Sequence, residues 1–185
     1  MAIGMGRGMR ALAVGIGVGL LGAGVLMAMT SCGSSAEPAG PAHVVGKSKE
    51  EIGKYLVQVA SCNDCHTPGI LEGKPVPESD WLTGVEVGWR GPWGTTYATN
   101  LRLSAQIYTE ESFVKAMKVR SEHAPMPWAS LHAMADDDLG AVYAYTKSLG
   151  PKGKPMPRFL PPGAEPETPY ISMVPVMPKS GGDAK

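Results

Sequence analysis

The sequence predicts a small all-α domain between residues 48 and 151, in which a few helices are joined by long loops. Amphipathic repeats begin at Ser48 and after Asp136, and Thr109 starts a third helical segment between them. The chain also holds 24 glycines and 17 prolines among 185 residues, mostly outside these segments. Much of the domain is therefore expected to be loop.

Composition bounds the size of the protein and the class of its partners. Seventeen basic residues balance 17 acidic ones, and 43% of the residues are apolar. A chain of this length buries one modest core, so a single domain with appendages is expected. A neutral chain offers no electrostatic footprint to a polyanion, which argues against nucleic acid as a partner.

Residues 1–31 have the pattern of an export signal, with Arg7 and Arg10 before an uncharged apolar run over residues 11–29. Cys32 follows in "MTSC", which resembles the lipobox at which bacterial lipoproteins are cleaved and acylated. A simple cleaved signal and a retained membrane-spanning helix are the alternatives. All three predict export to the bacterial cell envelope or periplasm, and the lipobox predicts a lipid anchor on Cys32. Residues 32–47, rich in small residues and proline, predict a flexible tether.

The first helix is predicted to begin at Ser48, which forms a capping box with Glu51. Its apolar residues recur at helical spacing and are Ile52, Tyr55, Leu56 and Val59. The helix leads directly to Cys62, Cys65 and His66. These three residues group two of the three cysteines and one of the four histidines of the chain within five positions.

Cys-x-x-Cys-His is the attachment pattern of a covalent c-type haem (haem c). The two thiols, of Cys62 and Cys65, add to the haem vinyl groups, and the imidazole of His66 reaches the iron as the proximal ligand. Three other readings are open. A thioredoxin-like redox pair would need a βαβ setting, and a zinc site would need a second pair of ligands. A structural disulfide would leave His66 unexplained.

Two more helices are predicted in the second half of the domain. Thr109 caps the earlier one, where Glu110 and Glu111 favour the positive helix end and the apolar side contains Phe113, Ala116 and Met117. Asp136 is expected to cap the last helix, which ends at Gly150 and Pro151. Its predicted buried stripe comprises Leu139, Val142, Tyr143, Thr146 and Leu149. The tail, residues 152–185, holds eight prolines and predicts an extended arm or disorder.

Several ordered motifs between residues 48 and 151 resemble one family. They are "IGKYLVQVASCNDCHTPG", "LTG", "GPWGTTYATNL", "TEESFVKAM", "PMPW" and "DDDLGAVYAYTKSLGP". The chain resembles the single-haem class I cytochromes c, in particular the cytochrome c subunits of bacterial membrane-bound dehydrogenases. The resemblance implies that the last helix crosses the first, with contact at Gly53 and with Tyr55 or Tyr143 beside it.

The resemblance also implies a methionine as sixth iron ligand, from a loop between the last two helices. Met126 stands at that place. Pro125 and Pro127 flank it, fix φ and exclude helix, so they hold the segment extended. The competing candidates are Met134, His123 and His132.

Residues 67–107 show no clear period. A haem would give this long loop an apolar surface to wrap. Leu82 and Trp93 are then candidates to pack against the haem. Arg90, Tyr97 and Asn100 are candidates to bind its propionates, and an ordinary loop contact is the alternative for each of these five residues. A carbonyl of Pro68, Pro75 or Pro77 is expected to accept a hydrogen bond from His66.

These features predict an electron carrier rather than an enzyme, because no acid/base pair or nucleophile accompanies the motif. The protein would pass electrons from a dehydrogenase to another cytochrome or an oxidase, and would have no small-molecule substrate. An alternative is a haem enzyme or sensor whose open sixth site binds peroxide or a gas.

Overall fold

The computed structural model describes residues 42–177. Six helices lie in this range, listed as α1 Lys49–Val59, α2 Cys62–His66, α3 Leu101–Ile107, α4 Glu110–Val119, α5 Trp128–Ala133 and α6 Asp136–Ser148. The strands in the same range are β1 Val85–Gly91, β2 Gly94–Ala98 and β3 Tyr170–Ser172. No helix within it is long and apolar enough to cross a bilayer. Cys32 and the leader, on which the export and lipid-anchor predictions rest, lie outside the described residues.

The all-α prediction is wrong, because a three-stranded sheet stands beside the helices. The sheet has the order β2-β1-β3, with β1 antiparallel to β2 and parallel to β3. A tight connection joins β1 to β2, and Gly94 follows it at φ 110°. A side chain at Gly94 would meet the Leu160 carbonyl oxygen at 2.1 Å, so only glycine fits there. The fold is therefore mixed α/β, not the all-α class I cytochrome c fold.

The main core lies where α1 crosses α6, as the resemblance implied. A Cβ atom on Gly53 would lie 2.0 Å from the Ala141 carbonyl oxygen and 2.7 Å from Tyr145 Cβ. Tyr145, rather than Tyr55 or Tyr143, therefore packs beside the crossing. This close approach turns the buried face of α1 toward Gly53, Leu56 and Val57.

The predicted apolar stripe of α1 is wrong in two members. Tyr55 is 53% exposed and Val59 is 57% exposed, whereas Val57 is completely buried. The apolar spacing located the helix correctly. The buried face that it predicted is rotated by about one residue from the observed buried face.

Two of the three predicted helix caps are present, although the Ser48–Glu51 capping box is only half formed, because the Glu51 carboxylate accepts from Lys47 N and not from Ser48 N. Ser48 Oγ accepts from Glu51 N at 3.1 Å, and Thr109 Oγ1 accepts from Ser112 N at 3.2 Å. The Asp136 cap is wrong, since Ala135 occupies the N-cap of α6 without a side-chain bond. The buried Asp138 accepts instead from Val44 N at 2.9 Å, which ties the chain before α1 to the start of α6.

Residues 152–177, here called the C-terminal arm, run extended along the sheet. Thr95 and Leu160 exchange backbone hydrogen bonds of 2.8 and 3.0 Å, and β3 continues the arm beside β1. Arg90 forms an ion pair with Glu165 of the arm. Of the two alternatives for the tail, an extended arm describes residues 152–177.

Arg102 is a buried arginine that the sequence did not single out. It is 5% exposed, and its guanidinium donates to the carbonyl oxygens of Gly150 at 2.6 Å and Ser79 at 2.7 Å and to that of Leu149. The bonds to Leu149 and Gly150 satisfy carbonyls at the C-terminal end of α6 that have no partner within the helix. Arg102 thereby holds α3 against the end of α6.

Candidate functional site

The Cys-x-x-Cys-His segment forms its own short helix, α2, directly after α1. Ser61 separates the two helices in the left-handed region, with φ 57° and ψ 28°. Cys62 and Cys65 are free thiols, and both are partly buried. The turn at Ser61 changes the direction of the chain, so α2 is not a continuation of α1.

Buried polar bonds fix the conformation of α2. Thr67 Oγ1 donates to Asn63 Oδ1 at 2.7 Å and accepts from Leu82 N at 2.9 Å. The His66 carbonyl oxygen accepts from Gly84 N at 2.8 Å. Asn63 and Thr67 are 6% and 1% exposed, so these bonds are shielded from water. The sequence analysis missed both residues, although their positions within and after the motif mark them as neighbours of His66.

The imidazole of His66 is held by the backbone of Thr99. Its Nδ1 lies 2.7 Å from the Thr99 carbonyl oxygen, and a carbonyl can only accept, so Nδ1 donates. The predicted acceptors, Pro68, Pro75 and Pro77, are wrong, because the segment after β2 rather than the nearby proline loop approaches the ring. Burial lowers the pKa of His66, and the bond to Thr99 offsets only part of this shift. A neutral ring protonated on Nδ1 carries its lone pair on Nε2, the form that binds a metal ion.

Burial makes the two thiols weak acids. It raises the pKa of Cys62 to about 11, and the charge of Asp64 adds to the rise. Burial and Asp64 also raise the pKa of Cys65. A thioredoxin-like pair needs a thiolate of lowered pKa in a βαβ setting, whereas these thiols lie within α2, which helix α1 precedes and a loop follows. The environment of Cys62 and Cys65 therefore argues against a redox dithiol.

Met126 lies in a non-helical segment between α4 and α5, as predicted. Its side chain is half-buried, and Pro127 occupies the N-cap of α5. The segment is attached to the sheet, since Thr96 Oγ1 donates to the Ala124 carbonyl oxygen at 2.7 Å.

The other candidates for the sixth iron ligand make contacts within the protein. The ring of His123 stacks on Phe159, with centroids 3.7 Å apart. His132 Nε2 lies 2.8 Å from the Arg120 carbonyl oxygen, to which it donates. Met134 is the C-cap of α5, and its carbonyl accepts from Lys118. The side chain of Met134 also packs against the main core, of which Met126 is not a part.

Two hydrogen bonds attach the His66 segment and the Met126 segment to the same stretch of chain, Thr96–Thr99. Thr96 holds the Met126 segment and Thr99 holds His66, three residues further along the same stretch of chain. Three extended residues span at most about 11 Å. The structure thus attaches two segments that are 60 residues apart in sequence to one short length of backbone.

The predicted propionate contacts have protein partners. Arg90 pairs with Glu165, and Tyr97 Oη lies 2.8 Å from Thr168 Oγ1. Asn100 Oδ1 accepts from Leu103 N at 3.0 Å, which caps α3. Its amide donates to the carbonyl oxygens of Lys152 and Lys154, at 2.8 and 3.2 Å. Both amide hydrogens are therefore committed, and the structure does not support Asn100 as a propionate ligand.

The two predicted haem-packing residues differ in their surroundings. Leu82 is completely buried in the main core, at φ 60°. Trp93 is half-buried and its ring lies over Gly91, where a Cβ would be 2.5 Å from the ring carbons. Of Leu82 and Trp93, only Trp93 is partly accessible to solvent.

Three buried polar atoms have no hydrogen-bond partner within residues 42–177. They are Trp93 Nε1, Trp128 Nε1 and Thr95 Oγ1. A buried donor without an acceptor costs free energy, so such atoms mark places where a bound group supplies the acceptor. Trp128 lies two residues after Met126, and Trp93 lies in the connection before β2.

A cleft of about 200 Å³ opens beside α2. The residues that line it include Asp64, Thr67, Val87, Trp89 and Ile171 of the arm. Within the described residues, no cluster of three or more His, Cys, Asp or Glu side chains is arranged to hold a metal ion.

No family model, curated protein or solved structure matches this chain.

Proposed function

We propose that the protein is an electron carrier with one covalently attached c-type haem. The observation that carries this proposal is the attachment of both the Cys-x-x-Cys-His segment and the Met126 segment to the single stretch Thr96–Thr99. In this proposal, both attached segments would contribute residues that hold one iron-containing group. Trp93 Nε1 and Trp128 Nε1, buried donors without acceptors in the described chain, fit a group that carries carboxylates.

The side chains at the candidate site are of the types that a c-type haem requires. Cys62 and Cys65 would hold it through thioether bonds, and His66 Nε2 and Met126 Sδ would bind its iron. A bound c-type haem supplies the one-electron chemistry, because its iron alternates between Fe(II) and Fe(III).

The chain's own residues limit change at this centre during electron transfer. Thr99 fixes the tautomer and the orientation of His66, and Thr67 fixes the turn that carries it. The hydrogen bond from Thr96 to Ala124 keeps the Met126 segment against strand β2. Little of the structure then needs to move when the charge of the iron changes.

We predict that Met126→Ala leaves the haem covalently attached but lowers its reduction potential, because a thioether ligand favours the ferrous state. The expected drop is on the order of 100 mV, a fraction of the roughly 0.8 V range that axial ligands control. A redox titration measures it. The same variant should bind added cyanide or carbon monoxide and lose the weak red-edge absorption band of methionine-ligated ferric haem.

Met134→Ala is the matched control, since Met134 lies on the other side of α5 and caps it through its backbone. It should keep the parent potential and spectrum. If Met134→Ala, His123→Ala or His132→Ala changed them and Met126→Ala did not, the sixth-ligand proposal would be wrong. Ready binding of cyanide by the unmodified protein would favour an enzyme or sensor with an open site.

The proposed partners are redox proteins of the bacterial envelope, a dehydrogenase as donor and another cytochrome or an oxidase as acceptor. The motif resemblance to dehydrogenase cytochrome subunits supports this, as does the export pattern of residues 1–31. Attachment to the membrane through lipid on Cys32 would keep the carrier close to such partners.

Cys32→Ser should move the protein from the membrane to the soluble fraction, because acyl chains supply most of the membrane affinity of a lipoprotein. Fractionation followed by detection of the haem or of the chain measures the change. Cys62→Ser, tested in parallel, should not alter the distribution. A Cys32→Ser protein that stayed in the membrane would favour the retained helix of residues 11–29.

A further inference from the structure

The C-terminal arm touches the segment that carries Met126. The ring of Phe159 stacks on that of His123, with centroids 3.7 Å apart and planes inclined by 10°. His123 stands three residues before Met126. Phe159 is 39% exposed, so burial in the main core does not account for its position.

Strand β2 reinforces this contact with two hydrogen-bonded attachments at consecutive residues. Thr95 exchanges backbone hydrogen bonds with Leu160, the residue after Phe159. Thr96 donates through Oγ1 to the carbonyl oxygen of Ala124, the residue after His123. The arm and the Met126 segment thus lie side by side, and the stacked rings of His123 and Phe159 form a third contact. These three contacts are here called the junction.

The arm is anchored independently on both sides of Phe159. Before it, Asn100 donates to the carbonyl oxygens of Lys152 and Lys154. After it, Arg90 pairs with Glu165, and β3 pairs with β1. Removal of the Phe159 ring should therefore leave the arm in place and affect only the junction.

We propose that Phe159 is a positioning residue, through which the C-terminal arm holds the Met126 segment against the sheet and keeps Met126 at the sixth iron site. This inference rests on the proposed function. Its physical basis is that a segment attached only at Ala124 can pivot about one hydrogen bond, whereas a second contact at His123 restricts the pivot. The arm, which the sequence presented as an appendage, becomes part of the redox site.

The test compares Phe159→Ala with Tyr170→Ala in the full, haem-loaded chain. Tyr170 is a matched control, since it is an aromatic residue of the same arm, is 45% exposed and packs on Arg90 rather than on His123. In Phe159→Ala the apparent affinity of the ferric protein for cyanide should rise about fivefold, the order that loss of one stacked ring pair allows. The red-edge band should weaken. Phe159→Tyr, which keeps the ring, should restore the parent values, and Tyr170→Ala should match them too.

His123→Ala tests the same contact from the other side and covers the case in which Phe159→Ala fails to fold. It should raise cyanide affinity by a similar factor, and the double variant should show no more than either single change. Parent behaviour of a folded Phe159→Ala or His123→Ala protein would overturn the inference, as would independent effects that multiply in the double variant. If Met126→Ala alters the band and the potential while these variants do not, the inference fails and the proposed function stands. If Met126→Ala alters neither, the proposed sixth ligand fails and the inference with it.

Discussion

Replacing both Cys62 and Cys65 by alanine is expected to abolish covalent haem attachment. The parent protein, produced in a host that attaches c-type haem, should keep its colour after denaturation, with one haem per chain. Denaturants break packing and ligand bonds but not thioether bonds, so the double variant should lose all of that colour. Haem staining of the denatured chain and an iron determination measure both quantities.

Cys32→Ala is the control, because it removes the third cysteine and leaves the motif whole. It should retain one haem per chain. Each single variant, Cys62→Ala or Cys65→Ala, leaves one thiol and separates the contributions of the two bonds. A double variant that kept its colour through denaturation, or a parent protein that bound zinc in place of haem, would contradict the proposed attachment.

Gly53→Ala is expected to destabilise the fold by about 3 kcal/mol or more, the upper range for forcing a methyl group into a packed core. The new Cβ would lie 2.0 Å from the Ala141 carbonyl oxygen, which belongs to the backbone of α6 and cannot rotate away. Helices α1 and α6 must then separate. For a chain of this size, the midpoint of thermal unfolding should fall by about 10 °C.

Gly140→Ala provides the matched comparison for this change. Gly140 also lies in a helix at a buried position, so the gain in helix propensity from alanine, about 1 kcal/mol, is the same at both sites. Its nearest obstacle is Glu110 Oε1 at 2.8 Å, the far end of a flexible side chain that can move. Gly140→Ala should therefore be close to neutral. Equal unfolding midpoints for the two variants would show that α1 and α6 do not approach as described.

Local signals in the sequence predicted the helices that carry them. The bonds from Ser48 to Glu51 and from Thr109 to Ser112 join residues three apart, so short-range chemistry is sufficient to locate the starts of α1 and α4. The Cys-x-x-Cys-His motif is local in the same sense, and it identified the residues of the candidate site before any fold was known. The non-helical segment around Met126 follows from two prolines whose effect on φ needs no tertiary contact.

The sheet escaped prediction because glycines obscure the strand pattern of its β1–β2 hairpin and because its β1–β3 pairing is long-range. Gly88 and Gly91 interrupt the alternation of β1, which hides the usual period of two. The third strand comes from the proline-rich tail, and β1 is its parallel neighbour only after the whole domain has folded. No window of sequence contains both partners.

The sequence by itself determined the chemistry available to this protein, namely two thiols, an imidazole and a thioether at spacings suited to one covalent haem. It determined the main helices as well, since caps and apolar periods act within a few residues. Only the tertiary structure decided that the Thr99 carbonyl orients His66, that the stretch Thr96–Thr99 joins the His66 and Met126 segments, and that the C-terminal arm meets the latter at Phe159. These contacts join residues 28 to 36 positions apart, and their formation depends on chain folding that local conformational preference does not encode.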